Sequence, residues 1–183
     1  MTYRECIANL CTDLQAKRDS LFIGYNTSKG SRMYGTLDGV PESSCIETPV
    51  AENLMTGLAI GLALDGAYSV LCFERHDFIL NALDSLVNHA DKLYDISGGE
   101  VKLPILVRAI VGDSSTLDVG LQHKQNYCNE LKSMLKYTPV VTPKNAKEFK
   151  EAFNMPGHTR SGVVVVVEYR SQYDDEIHIG DGE

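Results

Sequence analysis

Gly162-Val163-Val164-Val165-Val166-Val167-Glu168-Tyr169 sets five valines in a row. A strand with one face in water alternates apolar and polar side chains. Five consecutive β-branched residues do not alternate, so this strand is expected to be covered on both faces, the habit of parallel sheets in α/β proteins. Working outward, short apolar runs of the same kind recur between longer stretches of helical period. Pro104 to Val111, Tyr68 to Phe73 and Leu21 to Tyr25 read as further strands, with Cys45 to Pro49 and Thr138 to Thr142 as short extended pieces. Helices are expected at about residues 2–18, from Val50 to Leu64 (ending before Gly66), from Asp77 to Leu93, from Leu121 to Leu135, and from Asn145 to Phe153 with Asn145 as cap. Strands alternating with helices predict an α/β fold: a doubly wound, mainly parallel sheet with helices on both faces.

The chain has 183 residues, and at roughly 150 residues per domain that is one domain. We place it over residues 1–173, with the acidic stretch 174–183 expected as a loose tail. Apolar residues make up 43% and charged residues 23%, as in ordinary globular proteins. Lys plus Arg is 17 and Asp plus Glu is 25, so the formal charge is 17 − 25 = −8. That balance argues against nucleic acid or an anionic membrane as the main partner. The longest apolar stretch, Leu58 to Leu64, is far short of a membrane span, and no apolar signal core follows Met1-Thr2-Tyr3-Arg4-Glu5. The five cysteines (Cys6, Cys11, Cys45, Cys72, Cys128) are scattered, never Cys-x-x-Cys, and read as reduced thiols of a cytoplasmic protein.

Several site motifs fail. There is no P-loop, no dinucleotide fingerprint and no Gly-x-Ser-x-Gly elbow. Gly57 and Gly61 fall inside a helix, where they allow close packing. Residues 26–32 (Asn-Thr-Ser-Lys-Gly-Ser-Arg) read as a solvated loop in preference to a phosphate cradle. The five histidines show no metal-ligand spacing, and Asp77, Asp84 and Asp91, seven residues apart, read as a solvated or capping face.

Ile46-Glu47-Thr48-Pro49-Val50-Ala51-Glu52-Asn53 is more specific. It delivers the Glu52 carboxylate into the first turn of a helix directly after a strand end, where ligands bind in open α/β sheets. Leu54, Met55, Leu58 and Ala59 follow, so the carboxylate is expected in apolar surroundings, which disfavour a charged carboxylate and suit proton exchange with a ligand. The alternative is an acid placed for the helix dipole alone.

Glu47-Thr48-Pro49-Val50-Ala51-Glu52 resembles the Asp-Thr-Pro-Ile-Ser/Ala-Glu signature of thiamine-diphosphate enzymes, and is most similar to the pyrimidine-binding domain of 2-oxoacid dehydrogenase beta subunits and the transketolase central domain. The resemblance continues through His76-Asp77-Phe78, Ala82-Leu83-Asp84, Val87-Asn88-His89-Ala90-Asp91-Lys92, Ser97-Gly98-Gly99, Pro104-Ile105-Leu106-Val107-Arg108, Gly120-Leu121-Gln122-His123-Lys124-Gln125, Val140-Val141-Thr142-Pro143 and Val164 to Glu168. It covers about residues 21 to 170, with the motifs in family order.

The resemblance implies that Glu52 hydrogen-bonds a ring nitrogen of the cofactor's aminopyrimidine and favours the imino tautomer that activates the thiazolium. Phe78 matches the aromatic that packs on the pyrimidine, with Glu74 and Asn81 near it; the plainer reading of Phe78 is core. His123 matches a histidine that handles substrate or acceptor, or else serves as a helix cap, and Gln122 and Lys124 flank it. Lys124 replaces the family's serine, and a cation there suits a phosphorylated or carboxylated substrate, or is simply solvated. Gly24-Tyr25-Asn26 stands where the family has glycine followed by acids, which puts coupling between paired active sites in doubt.

The family's C-terminal and diphosphate-binding domains find no match in this chain, and Gly180-Asp181-Gly182 has no downstream asparagine. The implied function is the pyrimidine-binding subunit of a split thiamine-diphosphate enzyme. With a separate subunit carrying Gly-Asp-Gly…Asn and holding Mg2+, it would cleave or decarboxylate a 2-oxo acid or ketose and transfer the acyl or ketol unit. The implied assembly is a heterotetramer or a homodimer of pyrimidine domains. The rivals are a catalytically degenerate structural or regulatory subunit, against which Glu52, Phe78 and His123 together speak, and an unrelated small-molecule-binding α/β domain.

Overall fold

The computed structural model describes residues 1–112 and 118–178. In chain order the elements are α1 (Tyr3–Arg18), β1 (Leu21–Gly24), β2 (Cys45–Glu47), α2 (Glu52–Leu64), β3 (Ser69–Phe73), α3 (Leu93–Ile96), β4 (Ile105–Val111), α4 (Cys128–Met134), β5 (Val140–Val141), α5 (Ala146–Asn154) and β6 (Val163–Tyr169). The six strands form one sheet in the order β2-β1-β3-β4-β6-β5, and every neighbouring pair is parallel. Among the described residues, no helix is long and apolar enough to cross a membrane.

The valine run divides its side chains between two cores. Val163, Val165 and Val167 face a cluster with α2 and α4, while Val164 and Val166 face a second cluster with α1 and α5. All five are at most 1% exposed, and burying each such side chain contributes about 1.5–3 kcal/mol. β3 divides in the same way, Leu71 and Phe73 to one face and Val70 and Cys72 to the other.

The helix ends follow side-chain chemistry. Thr2 and Glu5 form a reciprocal capping box on α1. Asn145 caps α5 by accepting from the Glu148 N–H at 2.9 Å, as expected. Two expected helices are not regular. Residues 76–96 form a tight 3-10 stretch (His76–Ala82), a wide π stretch (Asp84–Ala90) and α3. Ile79, Ala82, Leu86 and Ala90 still share the core, because their spacing widens from three to four where the turn widens. The expected helix from Leu121 to Leu135 is a single turn at Leu121–His123 followed by α4. Side chains take the backbone donors between them: Asp77 accepts from the Gln125 N–H at 3.2 Å and Asn126 from the Cys128 N–H at 2.9 Å.

The aspartate face is also corrected. Asp84 is exposed, but Asp77 and Asp91 are buried. Asp91 accepts the N–H groups of Lys136, Tyr137 and Thr138 at 2.8–3.0 Å and so sets the turn into β5. The segment from Asp174 is not loose at its start. Thr2 bridges Glu176, the Ile177 N–H donates to Met1, and Ile177 is buried; Gly180-Asp181-Gly182 lies outside the described residues.

Candidate functional site

The C-terminal ends of β1, β2, β3 and β4 all open on one side of the sheet, and each leads into a segment carrying a polar side chain. After β2, Thr48 to Ala51 turns the chain and α2 starts at Glu52. Glu52 is 3% exposed. Its Oε2 accepts from Asn81 Nδ2 at 3.2 Å, whereas Oε1 is buried with no hydrogen-bond partner among the described residues. A buried carboxylate with one unused oxygen calls for an N–H or O–H donor from elsewhere. Its place in the first turn of α2 also satisfies the dipole reading, so the two readings coincide.

Beside it lies an open cleft lined by Tyr25, Glu74, Arg75, Phe78, Val119 and His123. Phe78 is at its centre: its ring lies 6.3 Å from Tyr25, tilted by 47°, and meets His123 edge-on at 5.3 Å. Phe78 also packs against the core cluster, so it serves both. Burial, then the nearby carboxylates of Glu74 and Glu52, push the Tyr25 hydroxyl above its ordinary range, so it stays protonated at neutral pH.

The expected site residues therefore divide. Glu52 and Asn81 touch, and Glu74, Phe78 and His123 line one cleft. Both oxygens of Glu74 are engaged, by Asn26 Nδ2 at 2.8 Å and by the Ser31 hydroxyl, so it also anchors the loop after β1. Lys124 pairs with Asp118 at 2.6 Å, and Gln122 is exposed in its turn.

Sequence reading passed over three contributors. Tyr25 was legible only as a departure at a strand end. Arg75 donates to the Tyr34 hydroxyl and reaches the cleft rim. Glu47 fills the cradle that residues 26–32 form, accepting the N–H groups of Asn26, Thr27 and Ser28. Burial raises the Glu47 pKa, but bonds from Ser28, Asn26 and Thr27 outweigh it and hold the carboxyl below its ordinary value. The loop is thus ordered around the solvent-exposed carboxylate of Glu47, which takes the N–H groups that a phosphate would need. Gly57 and Gly61, expected to permit close packing, face no other element among the described residues: beyond the helix's own backbone, a Cβ on either would find no atom of them within 4 Å. Among the described residues, no group of three or more His, Cys, Asp or Glu is placed to hold a metal ion.

Comparison with known proteins places the chain in a family. Residues 1–175 match the family model "Transketolase, pyrimidine binding domain". The chain is 31% identical over 158 residues to the pyruvate dehydrogenase E1 component subunit beta of Rickettsia bellii (strain RML369-C), across 82% of this chain and 47% of that protein. It is 33% identical over 132 residues to the mitochondrial E1 subunit beta of Saccharomyces cerevisiae (strain ATCC 204508 / S288c), across 69% of this chain and 36% of that one. The chain thus spans about half the length of the Rickettsia relative, or less for the yeast one. A solved split-gene transketolase, described as an inactive beta4 tetramer, shares the fold with a TM-score of 0.70 at 16% identity, over 98% of this chain and 55% of that one. The chain belongs to the pyrimidine-binding domain family of transketolases and related thiamine-diphosphate enzymes.

Proposed function

We propose that this chain provides the pyrimidine-binding half of a thiamine-diphosphate active site, completed by a separate subunit that holds the diphosphate and Mg2+. The unpartnered, buried Oε1 of Glu52 carries this reading. It is an acceptor waiting for a donor, beside the aromatic wall of Phe78 and Tyr25, and a protonated ring nitrogen of an aminopyrimidine fits it. When bound, the cofactor supplies the electron sink for breaking a bond next to a carbonyl. The chain's own residues do the rest. Glu52 holds a proton at the ring nitrogen, with Asn81 fixing its other oxygen. Phe78, assisted by Tyr25, excludes water and orients the ring. His123, in edge contact with Phe78 in the same cleft, faces substrate or acceptor.

The reaction is cleavage or decarboxylation of a ketose or 2-oxo acid with transfer of the ketol or acyl fragment. The outer face of α2 supports a partner surface next to the site. Val50, just before α2, and Leu54 and Leu64 on it are exposed apolar residues, and Gly57 and Gly61 leave open space. Binding of the partner there would bring its diphosphate site to the helix start that carries Glu52.

Calorimetric titration of thiamine diphosphate with Mg2+ tests the reading, using this chain alone and then with candidate subunits carrying Gly-Asp-Gly…Asn. Binding is expected in one mixture, with turnover falling at least ~100-fold in Glu52→Gln while the complex still assembles. No binding in any mixture by a folded chain, or undiminished turnover in Glu52→Gln, would replace it with a non-catalytic subunit.

A further inference from the structure

Three successive residues after β3 grip alternate residues of the segment that carries His123. Phe78 meets the His123 ring edge-on at 5.3 Å. Asp77 Oδ1 accepts from the Gln125 N–H at 3.2 Å. His76 stacks on Tyr127, with ring centroids 6.2 Å apart and planes 21° apart. The intervening residues point to other anchors: Lys124 to Asp118 at 2.6 Å, and Asn126 to the Tyr169 hydroxyl at 2.9 Å. Gly112, at the end of β4, sets the depth, because a Cβ there would stand 2.1 Å from the His123 carbonyl oxygen. Backbone and ring of His123 are therefore located from several sides.

The grip has a cost. Asp77 and His76 are both buried, and Asp77 Oδ2 and both His76 ring nitrogens have no hydrogen-bond partner among the described residues. Unpaired buried polar atoms are destabilising, and an apolar pair would pack here without that penalty. What the polar pair adds is an acceptor for the Gln125 N–H, which no helix satisfies, and a flat ring on which Tyr127 rests. We infer that Asp77, supported by His76, is a positioning residue that registers the 121–127 segment so that His123 stands over the cleft. The placement is independent of chemistry; its consequence for turnover rests on the proposed role of His123.

The test uses the full chain with 13C-labelled histidine, the five imidazole resonances being assigned by single substitutions. Asp77→Ala is expected to shift or broaden the His123 Cε1–H signal while His89, His158 and His178 keep theirs. Asp77→Asn, which retains an acceptor oxygen, is expected to restore it. Tyr127→Ala leaves the buried aspartate in place, and is expected to disturb the same signal if Asp77→Ala does not fold. An unmoved His123 signal in whichever of the two folds overturns the inference. With the partner subunit and cofactor present, Asp77→Ala is expected to lower kcat/KM by about 10- to 100-fold with cofactor affinity unchanged, the scale of a small misplacement. Undiminished turnover in His123→Ala would refute the role of His123 and leave the positioning intact.

Discussion

Glu168 and Glu52 are both buried glutamates, 1% and 3% exposed, on opposite faces of one sheet, and their surroundings differ in kind. Glu168, on β6, is closed. Arg108 Nε reaches its Oε1 at 2.6 Å and Nη2 its Oε2 at 2.9 Å, and the Tyr173 hydroxyl donates to Oε2. Arg108 is itself completed by Thr36 Oγ1 at 2.9 Å and Cys11 Sγ at 3.3 Å, so α1, the loop after β1, β4, β6 and the segment after β6 meet at one pair of charges. Burial pushes the Cys11 thiol up to about 11, Arg108 pulling it back, so it remains a thiol. Glu52 keeps one buried oxygen without a partner among the described residues. A buried charge with every partner supplied from within belongs to the fold, whereas the open oxygen of Glu52 is the one that the proposed function assigns to a ligand.

The comparison breaks most visibly at Arg108. Arg108→Met leaves Glu168 buried and unpaired, and is expected to remove about 3–5 kcal/mol in denaturant unfolding. Adding Glu168→Leu is expected to recover most of it, since a well-packed apolar pair replaces a buried ion pair at little cost. Failure to recover would mean that the network also holds the loop through Thr36.

Acid sharpens the contrast at a third buried group. Burial holds His76 neutral down to about 4 against an ordinary 6.5, although Asp77 beside it and Glu130 on α4 pull the other way. Tyr127 stacks on the ring. Between those pH values the unfolded chain binds the proton that the folded chain refuses, so stability falls as pH falls, by on the order of 3 kcal/mol. His76→Phe removes this dependence. Unfolding curves of the two proteins should therefore diverge from pH 6.5 toward 4, the variant being the more stable.

Glu52→Gln, unlike any change at Glu168, is expected to alter unfolding by less than about 1 kcal/mol, because no internal charge is orphaned by it. A larger loss would make Glu52 a fold residue. The smallest effect is expected on the outer face of α2. The Cβ of Gly57→Ala meets no atom of another element among the described residues within 4 Å and should stabilise the isolated chain by about 0.5–1 kcal/mol through helix propensity. The same methyl group is expected to weaken partner association in a pull-down or calorimetric titration; unchanged association would place the partner elsewhere.

Much of the fold was legible in the sequence. The valine run announced a strand covered on both faces, and the strand positions, the α5 cap and the parallel sheet followed from period and punctuation. Motif order picked out Glu52, Phe78 and His123, but that Phe78 and His123 meet in one cleft was visible only in the structure. What escaped was cross-chain: residues 76–96 carry a helical period yet wind irregularly, and Leu121 to Leu135 breaks because Asp77, far away in sequence, takes the Gln125 N–H. Arg108 was only a strand residue until Glu168 lay two strand positions beyond its register partner Val166.

By itself, then, the sequence determined which segments are strands, that the sheet is parallel and doubly covered, and which carboxylate follows the second strand end, because these depend on local period and backbone preference. The tertiary structure alone decided which charges close on one another and which stay open. Partner supply in a buried site depends on residues brought together across the sheet, and no spacing along the chain encodes whether an oxygen will find its donor.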